Sequence, residues 1–290
     1  MTMDVVKGRR DVHRLVAAWK AQGLRVGFVP TMGALHEGHL ALIDTARAAC
    51  DRVVASIFVN PLQFGPNEDF TRYPRPVERD TALLAARGCD ALFLPDVAEM
   101  YPTDADTVVS QRLATEHLCG AWRPGHFTGV LTVVLKLLMQ VAPHDIFLGR
   151  KDFQQVVVLT RMVRDLDLDL DIRVHACPTV RESDGLAMSS RNAYLGPAER
   201  AAAPTLKRAL DAVSAAFAAG VRTTAELESA GVSIVERAGV FKIQYLSVVD
   251  AATCVPRAVT GTAPEATDVV AVAAMLGATR LIDNVDLSAR

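Results

Sequence analysis

The chain has 290 residues, with 31 lysines and arginines against 33 aspartates and glutamates, and a formal net charge of -2. A length near twice the ~150 residues of an average domain predicts two domains, and a hydrophobic content of 50% suffices for a substantial core. The near-neutral charge excludes a general basic field for nucleic acid, so we expect no nucleic-acid partner. Any anionic ligand must then be bound by a local group of residues.

The N-terminal residues become charged at Asp4 and Lys7 and contain no apolar signal segment. The longest apolar run, near Val269 to Leu276, is far below the ~18 residues that a membrane span needs. We therefore expect a cytoplasmic chain with no membrane partner. The five cysteines are scattered without a C-x-x-C pair, which favours reduced, buried thiols over a disulfide framework or a structural zinc site.

Up to about Cys177, short apolar runs alternate with segments of helical period, a pattern typical of a parallel sheet with crossover helices. The strand Val-Val-Ala-Ser-Ile-Phe-Val is apolar on both faces, which indicates helices on both sides of the sheet. This pattern predicts a doubly wound α/β domain over residues 1–179. Strands are predicted at 25–30, 52–59, 90–95, 145–149 and 171–176, and helices at 39–50, 77–87, 128–141 and 152–165.

The pattern changes beyond the predicted loop at 178–196. Two Ala-rich helices come first, and three strands follow them, an order typical of an α+β domain. We therefore expect a second, smaller α+β domain over residues 180–290. Its helices are predicted at 197–219 and 224–238, and its strands at 242–249, 269–276 and 279–282.

The densest chemical signal is Pro-Thr-Met-Gly-Ala-Leu-His-Glu-Gly-His at 30–39, directly after the first predicted strand. Ligands of open α/β sheets bind beyond the carboxyl ends of strands. His36 and His39 lie at a predicted helix start, where backbone N–H groups and the helix dipole favour anions, so they suit a triphosphate. The alternative is a turn in which the histidines are incidental. The H-E-G-H spacing differs from the H-E-x-x-H of zinc proteases, and neither a P-loop nor a G-x-G-x-x-G sequence occurs.

Two further segments suit phosphate groups. Lys151 follows the fourth predicted strand and is one of only six lysines, so its ammonium is a candidate for neutralising a phosphoryl group. The sequence Met-Ser-Ser-Arg at 188–191 joins hydroxyls to a guanidinium near the domain boundary, a combination that suits a phosphate clamp. Solvated helix-start and loop residues remain the alternative for both segments.

Amide side chains follow the second predicted strand. Asn60 and Gln63 can bind hydroxyl groups and a carboxylate without adding charge. His126, in Arg-Pro-Gly-His-Phe at 123–127, opens a long apolar helix. A ligand contact and a satisfied buried imidazole are equally open for this histidine.

Taken in order, the motifs at 30–39, 59–64, 123–127, 149–155 and 188–192 resemble those of the pantothenate synthetases (pantoate–β-alanine ligases), and the first is similar to the H-x-G-H signature of the nucleotidyltransferase superfamily. The resemblance implies a Rossmann-like N-terminal domain that binds nucleotide and pantoate, a C-terminal lid domain and a homodimer. It also implies that ATP and (R)-pantoate form pantoyl adenylate and pyrophosphate. β-Alanine then releases pantothenate and AMP, and Mg²⁺ offsets charge on the β- and γ-phosphates.

The same resemblance implies residue roles. His39 is the proton-donor position, and with His36 and Lys151 it forms the predicted catalytic set. Gln63 and Gln155 hold pantoate, with Gln63 also near β-alanine, and Asn60 is the third predicted substrate-binding residue. No metal ligand is assigned. ATP is expected to contact Met32, Gly33, Ala34, Leu35, His36, Glu37, Gly38, His39, Gly149, Arg150, Lys151, Asp152, Val180, Met188, Ser189, Ser190 and Arg191.

Two other functions stay open from the sequence. The chain could be another nucleotidyltransferase of the same superfamily, one that makes a dinucleotide or a CDP-alcohol. The paired Gln63 and Gln155 count against that hypothesis. A non-catalytic nucleotide-binding regulator is the second alternative, and the presence of His39, Lys151 and Arg191 counts against it.

Overall fold

The structure is a computed structural model of the chain and describes residues 3–66 and 68–288. These residues pack into two compact units. The second unit includes two short segments from the region that the sequence analysis assigns to the N-terminal domain. The first unit comprises Met1–Gln111, Pro124–Arg150 and Val158–Pro178, and the second comprises Arg112–Arg123, Lys151–Val157 and Thr179–Arg290.

The first unit contains a six-stranded parallel sheet with the order β1-β4-β3-β2-β5-β6. Its strands are β1 (Asp4–Val6), β2 (Val26–Thr31), β3 (Arg52–Ile57), β4 (Ala91–Phe93), β5 (Asp145–Gly149) and β6 (Arg173–Cys177). From β2 the order runs one way through β3 and β4 and the other way through β5 and β6. The predicted Rossmann-like doubly wound sheet is therefore confirmed, and its switch point lies between the ends of β2 and β5.

Seven α-helices lie in the described part of the chain before residue 179. They are α1 (Arg9–Ala21), α2 (Glu37–Ala49), α3 (Val77–Ala86), α4 (Val97–Met100), α5 (Cys119–Trp122), α6 (His126–Val141) and α7 (Phe153–Asp165). Short 3-10 helices occur at Pro61–Gln63, Arg150–Asp152 and Leu168–Leu170. The sequence analysis missed β1 and α1, because the fully buried residues of α1 are Val12 and Val16 alone and its apolar stripe is narrow.

The core of the first unit forms where α2 covers the sheet. Residues 53–57 of β3 are all buried, in line with a strand that is covered on both faces. Alternate β3 residues Val53, Ala55 and Ile57 join Leu42 and Ile43 of α2 in one apolar cluster. Because the ends of the strands are anchored in this core, the loops that follow them have fixed starting points.

The second unit is a smaller α+β unit around an antiparallel sheet, β7 (Phe241–Val249), β8 (Val269–Leu276) and β9 (Thr279–Asp286). Its further helices are α8 (Pro197–Ala202), α9 (Thr205–Ala218), α10 (Thr224–Ala238) and α11 (Arg257–Thr260), and Ser190–Tyr194 is a 3-10 helix. The helix predicted at 197–219 is divided near Pro204, which has no N–H to continue it. The strand predicted at 279–282 continues to Asp286. Residues of α9, α10 and all three strands form the core.

Two further features concern membrane spans and cysteines. No helix in the described ranges is both long and apolar enough to cross a membrane. All five cysteines are buried, and Cys50, Cys89 and Cys177 belong to the apolar cluster beside α2. Their thiols therefore act as small apolar side chains in the packing of the core.

Candidate active site

His36 and His39 lie together at the start of α2. His36 is the N-cap residue of this helix and has an extended backbone. The Gly38 N–H donates to His36 Nδ1 at 3.1 Å, and the His36 N–H donates to His39 Nδ1 at 3.4 Å. The ring centroids lie 4.0 Å apart. The H-x-G-H spacing thus forms a reciprocal helix cap from two imidazoles.

These contacts select the tautomer of both histidines. Each Nδ1 accepts a backbone N–H, so the proton of the neutral ring is on Nε2. Each Nε2 is then a donor beside a helix N-terminus, where backbone N–H groups and the helix dipole favour anions. The arrangement can stabilise negative charge on a phosphoryl group.

A buried carboxylate that the sequence analysis missed holds the turn before His36. Asp80 of α3 is 1% exposed, and it accepts the N–H groups of Ala34 at 2.6 Å and Leu35 at 3.0 Å. Hydrogen bonds to an ionised acceptor are among the strong ones. Nothing in the local sequence indicates that Asp80, and not Glu78 in the same first turn of α3, is the buried acceptor.

The same turn requires glycine at one position. Gly33 has φ +82° and Ala34 has φ +51°, both in the left-handed region. A Cβ on Gly33 would lie 3.0 Å from Ile57 Cγ2 and 3.1 Å from Asp80 Oδ2. The Gly33 N–H donates to Thr31 Oγ1 at 3.1 Å. The hydrogen bonds to Asp80 therefore hold Ala34 in a left-handed backbone conformation that costs free energy.

Asn60 and Gln63 form one polar group after β3. Asn60 Nδ2 donates to Gln63 Oε1 and to the Gly129 carbonyl, each at 3.1 Å. Gln63 Nε2 donates to Met32 Sδ at 3.1 Å. His126 Nδ1 lies 2.8 Å from the Gln63 carbonyl oxygen, so this imidazole donates to backbone. The structure thus brings together predicted ATP-binding and pantoate-binding residues of the first unit.

Helix α6 approaches this group without an intervening side chain. A Cβ on Gly129 would lie 2.3 Å from the Leu62 carbonyl oxygen and 2.6 Å from the Gln63 nitrogen. Real Cβ atoms do not approach backbone atoms so closely, so a larger residue would displace the 3-10 helix Pro61–Gln63. Gly129 therefore sets the position of both amide side chains.

Lys151 comes shortly after β5. This strand pairs with β2, which the histidine motif follows in the chain. Gly149 is the last residue of β5, and Arg150–Asp152 forms a 3-10 helix. The Lys151 carbonyl accepts Asn284 Nδ2 of β9 at 3.0 Å, while its Nζ lies 3.8 Å from Asp152 Oδ2. Such a long ion pair is weak, so the ammonium can serve an anionic ligand.

Two adjacent glutamines at the start of α7 have different surroundings. Gln154 is 5% exposed, and its Oε1 accepts the Cys119 N–H at 2.9 Å. Its Nε2 donates to the carbonyls of Ala114 and His117, both at 2.8 Å. Gln155 is partly exposed. Gln154 therefore holds the segment 112–123 of its own unit, and Gln155 is the better candidate for a substrate contact.

The predicted ATP-binding residues after β6 lie on a compact turn of the second unit. The Met188 N–H donates to the Val180 carbonyl at 3.0 Å, so these two residues are neighbours. Ser189 caps the 3-10 helix Ser190–Tyr194 by accepting the Arg191 N–H at 3.3 Å. The structure therefore brings 180 and 188–191 together.

Charged residues that the sequence analysis did not identify hold this turn. Arg181 donates to both carboxylate oxygens of Asp283, at 2.6 and 2.9 Å, across 102 residues of sequence. Arg200 pairs with Glu182 at 2.6 Å and with Asp184 at 2.5 Å. The hydrogen bond from Arg200 lowers the pKa of Asp184 below its usual value.

The described residues offer no preformed metal site. Among residues 3–66 and 68–288, no three His, Cys, Asp or Glu side chains are grouped so that they could hold a metal ion. Mg²⁺ commonly keeps several waters and binds substrate phosphates with one or two carboxylates. A Mg²⁺ ion bound in this way together with a nucleotide would not need such a group.

Comparison with known proteins decides the family. The family model described as pantoate-beta-alanine ligase matches residues 4–286. The chain belongs to the pantoate–β-alanine ligase family. A curated relative from Acidobacterium capsulatum, named pantothenate synthetase, is 56% identical over 90% of this chain and 85% of its own length. The resemblance drawn from the sequence motifs is thereby confirmed.

Solved structures extend this family assignment to the fold. A pantothenate synthetase from Thermus thermophilus has a TM-score of 0.91 and 46% identity, covering 99% of this chain and 100% of its own. A pantoate–β-alanine ligase from Francisella tularensis, complexed with β-γ ATP and β-alanine, has a TM-score of 0.81 and 33% identity, covering 99% of both chains. The ligase activity predicted from the sequence is the activity of this family.

Proposed function

We propose that this chain condenses pantoate with β-alanine to pantothenate, with ATP as second substrate, through pantoyl adenylate. The observation that carries the proposal is the cap of His36 and His39 after β2, in a chain of the pantoate–β-alanine ligase family. Two imidazole donors beside a helix N-terminus suit a reaction at phosphorus. The amides of Gln63 and Gln155 suit the hydroxyl and carboxylate groups of pantoate. Asn60, whose amide bonds to protein groups alone, supports this site by holding Gln63.

In the first step, a carboxylate oxygen of pantoate attacks the α-phosphorus of ATP. The bond between the α-phosphorus and the oxygen that bridges to the β-phosphorus breaks, and pyrophosphate leaves with the electron pair. Negative charge increases on the phosphoryl oxygens during this exchange. We assign its stabilisation to the Nε2–H groups of His36 and His39 and to the Lys151 ammonium. At His39, the proton-donor position that the resemblance implies, Nε2–H acts as a hydrogen-bond donor and keeps its proton.

In the second step, the neutral amine of β-alanine attacks the acyl carbon of pantoyl adenylate. An amide bond forms, the bond between that carbon and the AMP oxygen breaks, and the amine proton passes to solvent. No side chain forms a covalent bond in either step. The work of Gln63 and Gln155 is to hold pantoate so that the attacking atoms are aligned.

We assign ATP contacts in both units, each from its own geometry. In the first unit they are Met32 to His39, Gly149 and Arg150, and in the second they are Lys151, Asp152, Val180 and Met188 to Arg191. If so, ATP with pantoate protects the backbone of 185–192 from hydrogen exchange, and Arg191→Ala weakens that protection. Equal exchange with and without the two ligands would refute this assignment.

Three finer statements complete the proposal. Mg²⁺ accompanies ATP and is held mainly by the phosphates and water, an arrangement that needs no group of three protein ligands. The chain forms a homodimer, as the resemblance implies, and light scattering after size-exclusion chromatography tests the mass. We also propose a cytoplasmic location, and fractionation of cells tests it.

One coupled assay tests the reaction. AMP formation is measured with ATP, pantoate and β-alanine, and each is omitted in turn. We expect catalytic AMP and pantothenate only with all three. Without β-alanine, we expect one equivalent of pyrophosphate per site and bound pantoyl adenylate. ADP and phosphate as products would refute the adenylate mechanism, and AMP release without β-alanine would favour another nucleotidyltransferase.

A further inference from the structure

Asn60 uses the whole hydrogen-bonding capacity of its amide. Its Oδ1 accepts the Leu62 N–H at 3.3 Å and the Tyr101 hydroxyl at 2.8 Å. Its Nδ2 donates to the Gly129 carbonyl and to Gln63 Oε1, each at 3.1 Å. The side chain is 1% exposed, so an unmade hydrogen bond here would not be replaced by bulk water.

These partners determine which way both amides face. A backbone N–H only donates and a backbone carbonyl only accepts, so exchanging Oδ1 and Nδ2 of Asn60 would oppose donor to donor and acceptor to acceptor. Nδ2 must therefore face Gln63, and the Gln63 atom that it meets must be Oε1. Gln63 Nε2 then faces the other way, toward Met32 Sδ at 3.1 Å.

Tyr101 is held as a donor to this amide. It directly follows α4, its ring centroid lies 6.1 Å from that of Phe58, and Lys136 Nζ lies 5.7 Å from the ring centroid. Burial raises the pKa of Tyr101 well above its usual value, so the phenol stays protonated at neutral pH. A protonated phenol can donate to Asn60 Oδ1.

We propose that Tyr101 is a positioning residue. Its hydroxyl holds the Asn60 amide in the orientation that the backbone groups of Leu62 and Gly129 set, and Asn60 in turn makes Gln63 present its Nε2 hydrogens to an oxygen of pantoate. This inference rests on the proposed function, in which Gln63 binds pantoate. The thioether of Met32 is a weak acceptor, and a hydroxyl or carboxylate oxygen is a stronger one. Pantoate carries such oxygens, so the orientation of Gln63 selects for them.

The kinetic test uses Tyr101→Phe, Gln63→Ala and the double variant. Tyr101→Phe keeps the ring and removes the hydroxyl, and we expect the KM for pantoate to rise about fivefold to tenfold, the range for one hydrogen bond, while the KM for ATP changes less than about twofold. In the Gln63→Ala background, Tyr101→Phe should change the KM for pantoate less than about twofold, because the two residues act in series.

A matched control removes another partly buried tyrosine hydroxyl. Tyr245 Oη lies 3.1 Å from Cys119 Sγ in the second unit, so Tyr245→Phe also deletes a partly buried hydroxyl with its contacts. It should leave the ratio of the two KM values unchanged. Three results would overturn the proposal. Tyr101→Phe could change the KM for pantoate equally with and without Gln63→Ala, it could raise the KM values for pantoate and ATP equally, or it could leave the KM for pantoate unchanged.

A second measurement does not depend on turnover. The side-chain amide signals of Gln63, assigned in ¹⁵N-labelled protein through Gln63→Ala, should shift in Tyr101→Phe without any ligand. Unchanged Gln63 signals would refute the positioning role even in an active ligase. Conversely, a shift of these signals in a chain that forms no pantothenate would refute the proposed function and leave the positioning role intact.

Discussion

The candidate ligand-binding segments of the two units are held in different ways. In the first unit, the segments after β2 and β3 are anchored by buried polar side chains, Asp80 and Asn60, each 1% exposed and each bonded to backbone. In the second unit, the turn at 180–192 is held by ion pairs of Arg181 and Arg200, whose side chains are 20% and 31% exposed.

This difference bears on how each segment responds to its surroundings. Buried hydrogen bonds to backbone are little affected by salt, whereas ion pairs between partly exposed charges are weakened as salt shortens the screening length, which is about 8 Å at physiological ionic strength. We therefore expect the histidine and amide segments to be preorganised under most conditions. The turn at 180–192 should depend more strongly on ionic strength and pH.

The largest expected effect comes from removing one cationic or imidazole donor from each unit. His39→Ala and Lys151→Ala should each slow adenylate formation about a hundredfold to a thousandfold, about 3 to 4 kcal/mol, because each removes a preorganised donor to the phosphoryl group. Rapid-quench measurement of pyrophosphate gives the rate. His13→Ala, a change at an exposed histidine of α1, is the control. If the variants also used supplied pantoyl adenylate equally slowly, their assignment to the first step would fail.

Gly129→Ala tests how firmly the amide segment is packed. The new Cβ would lie 2.3 Å from the Leu62 carbonyl oxygen, so we expect a loss of about 2 to 3 kcal/mol in the free energy of unfolding and a higher KM for pantoate. Urea unfolding measures the first quantity. Gly65→Ala is the matched control, because its nearest atom would be at 3.7 Å. Equal stability of the two variants would show that the segment adapts.

Asp80→Asn tests the anchor of the histidine turn. Asparagine keeps one acceptor but turns an NH₂ group toward the N–H of Ala34 or Leu35, so we expect a loss of about 1 to 2 kcal/mol in stability and about a tenfold rise in the KM for ATP. Both effects should be the same at low and high salt. Asp169→Asn, a change at an exposed position of the 3-10 helix Leu168–Leu170, is the control. A salt-sensitive effect would contradict the contrast between the units.

The smallest expected effect is at the ion pairs of the second unit. Arg200→Ala should cost at most about 1 kcal/mol in stability, since these charges are partly exposed, and the cost should shrink in high salt. Arg200 lowers the pKa of Asp184 in the folded chain, so the contribution is present above the unfolded pKa of the carboxyl and is lost as pH falls through the folded pKa. Thermal unfolding across pH 2 to 7, in about 0.05 and 0.5 M salt, measures it. A cost that stays constant across this range would contradict the screening argument.

Local sequence patterns were sufficient for the elements that carry the motifs. The continuous apolar run of β3 and the helical period of α6 are properties of short segments, and both elements were predicted within a few residues. The placement of His36 and His39 at a helix start was predicted for the same reason. Elements with weak local sequence patterns, among them β1 and α1, were not predicted. The break between two helices at Pro204 was also missed, although a proline inside a helical pattern indicates such a break.

The sequence by itself determined which chemistry is available, because residue type and spacing state where imidazoles, amides and ammonium groups occur. Only the tertiary structure decided how these groups are held. Asp80 meets Ala34 from 46 residues away and Tyr101 meets Asn60 from 41, and no local period encodes such distances. The packing of whole elements selects which polar side chain reaches a buried backbone group, and for that reason Gln154 and Gln155, adjacent and identical in type, have different surroundings.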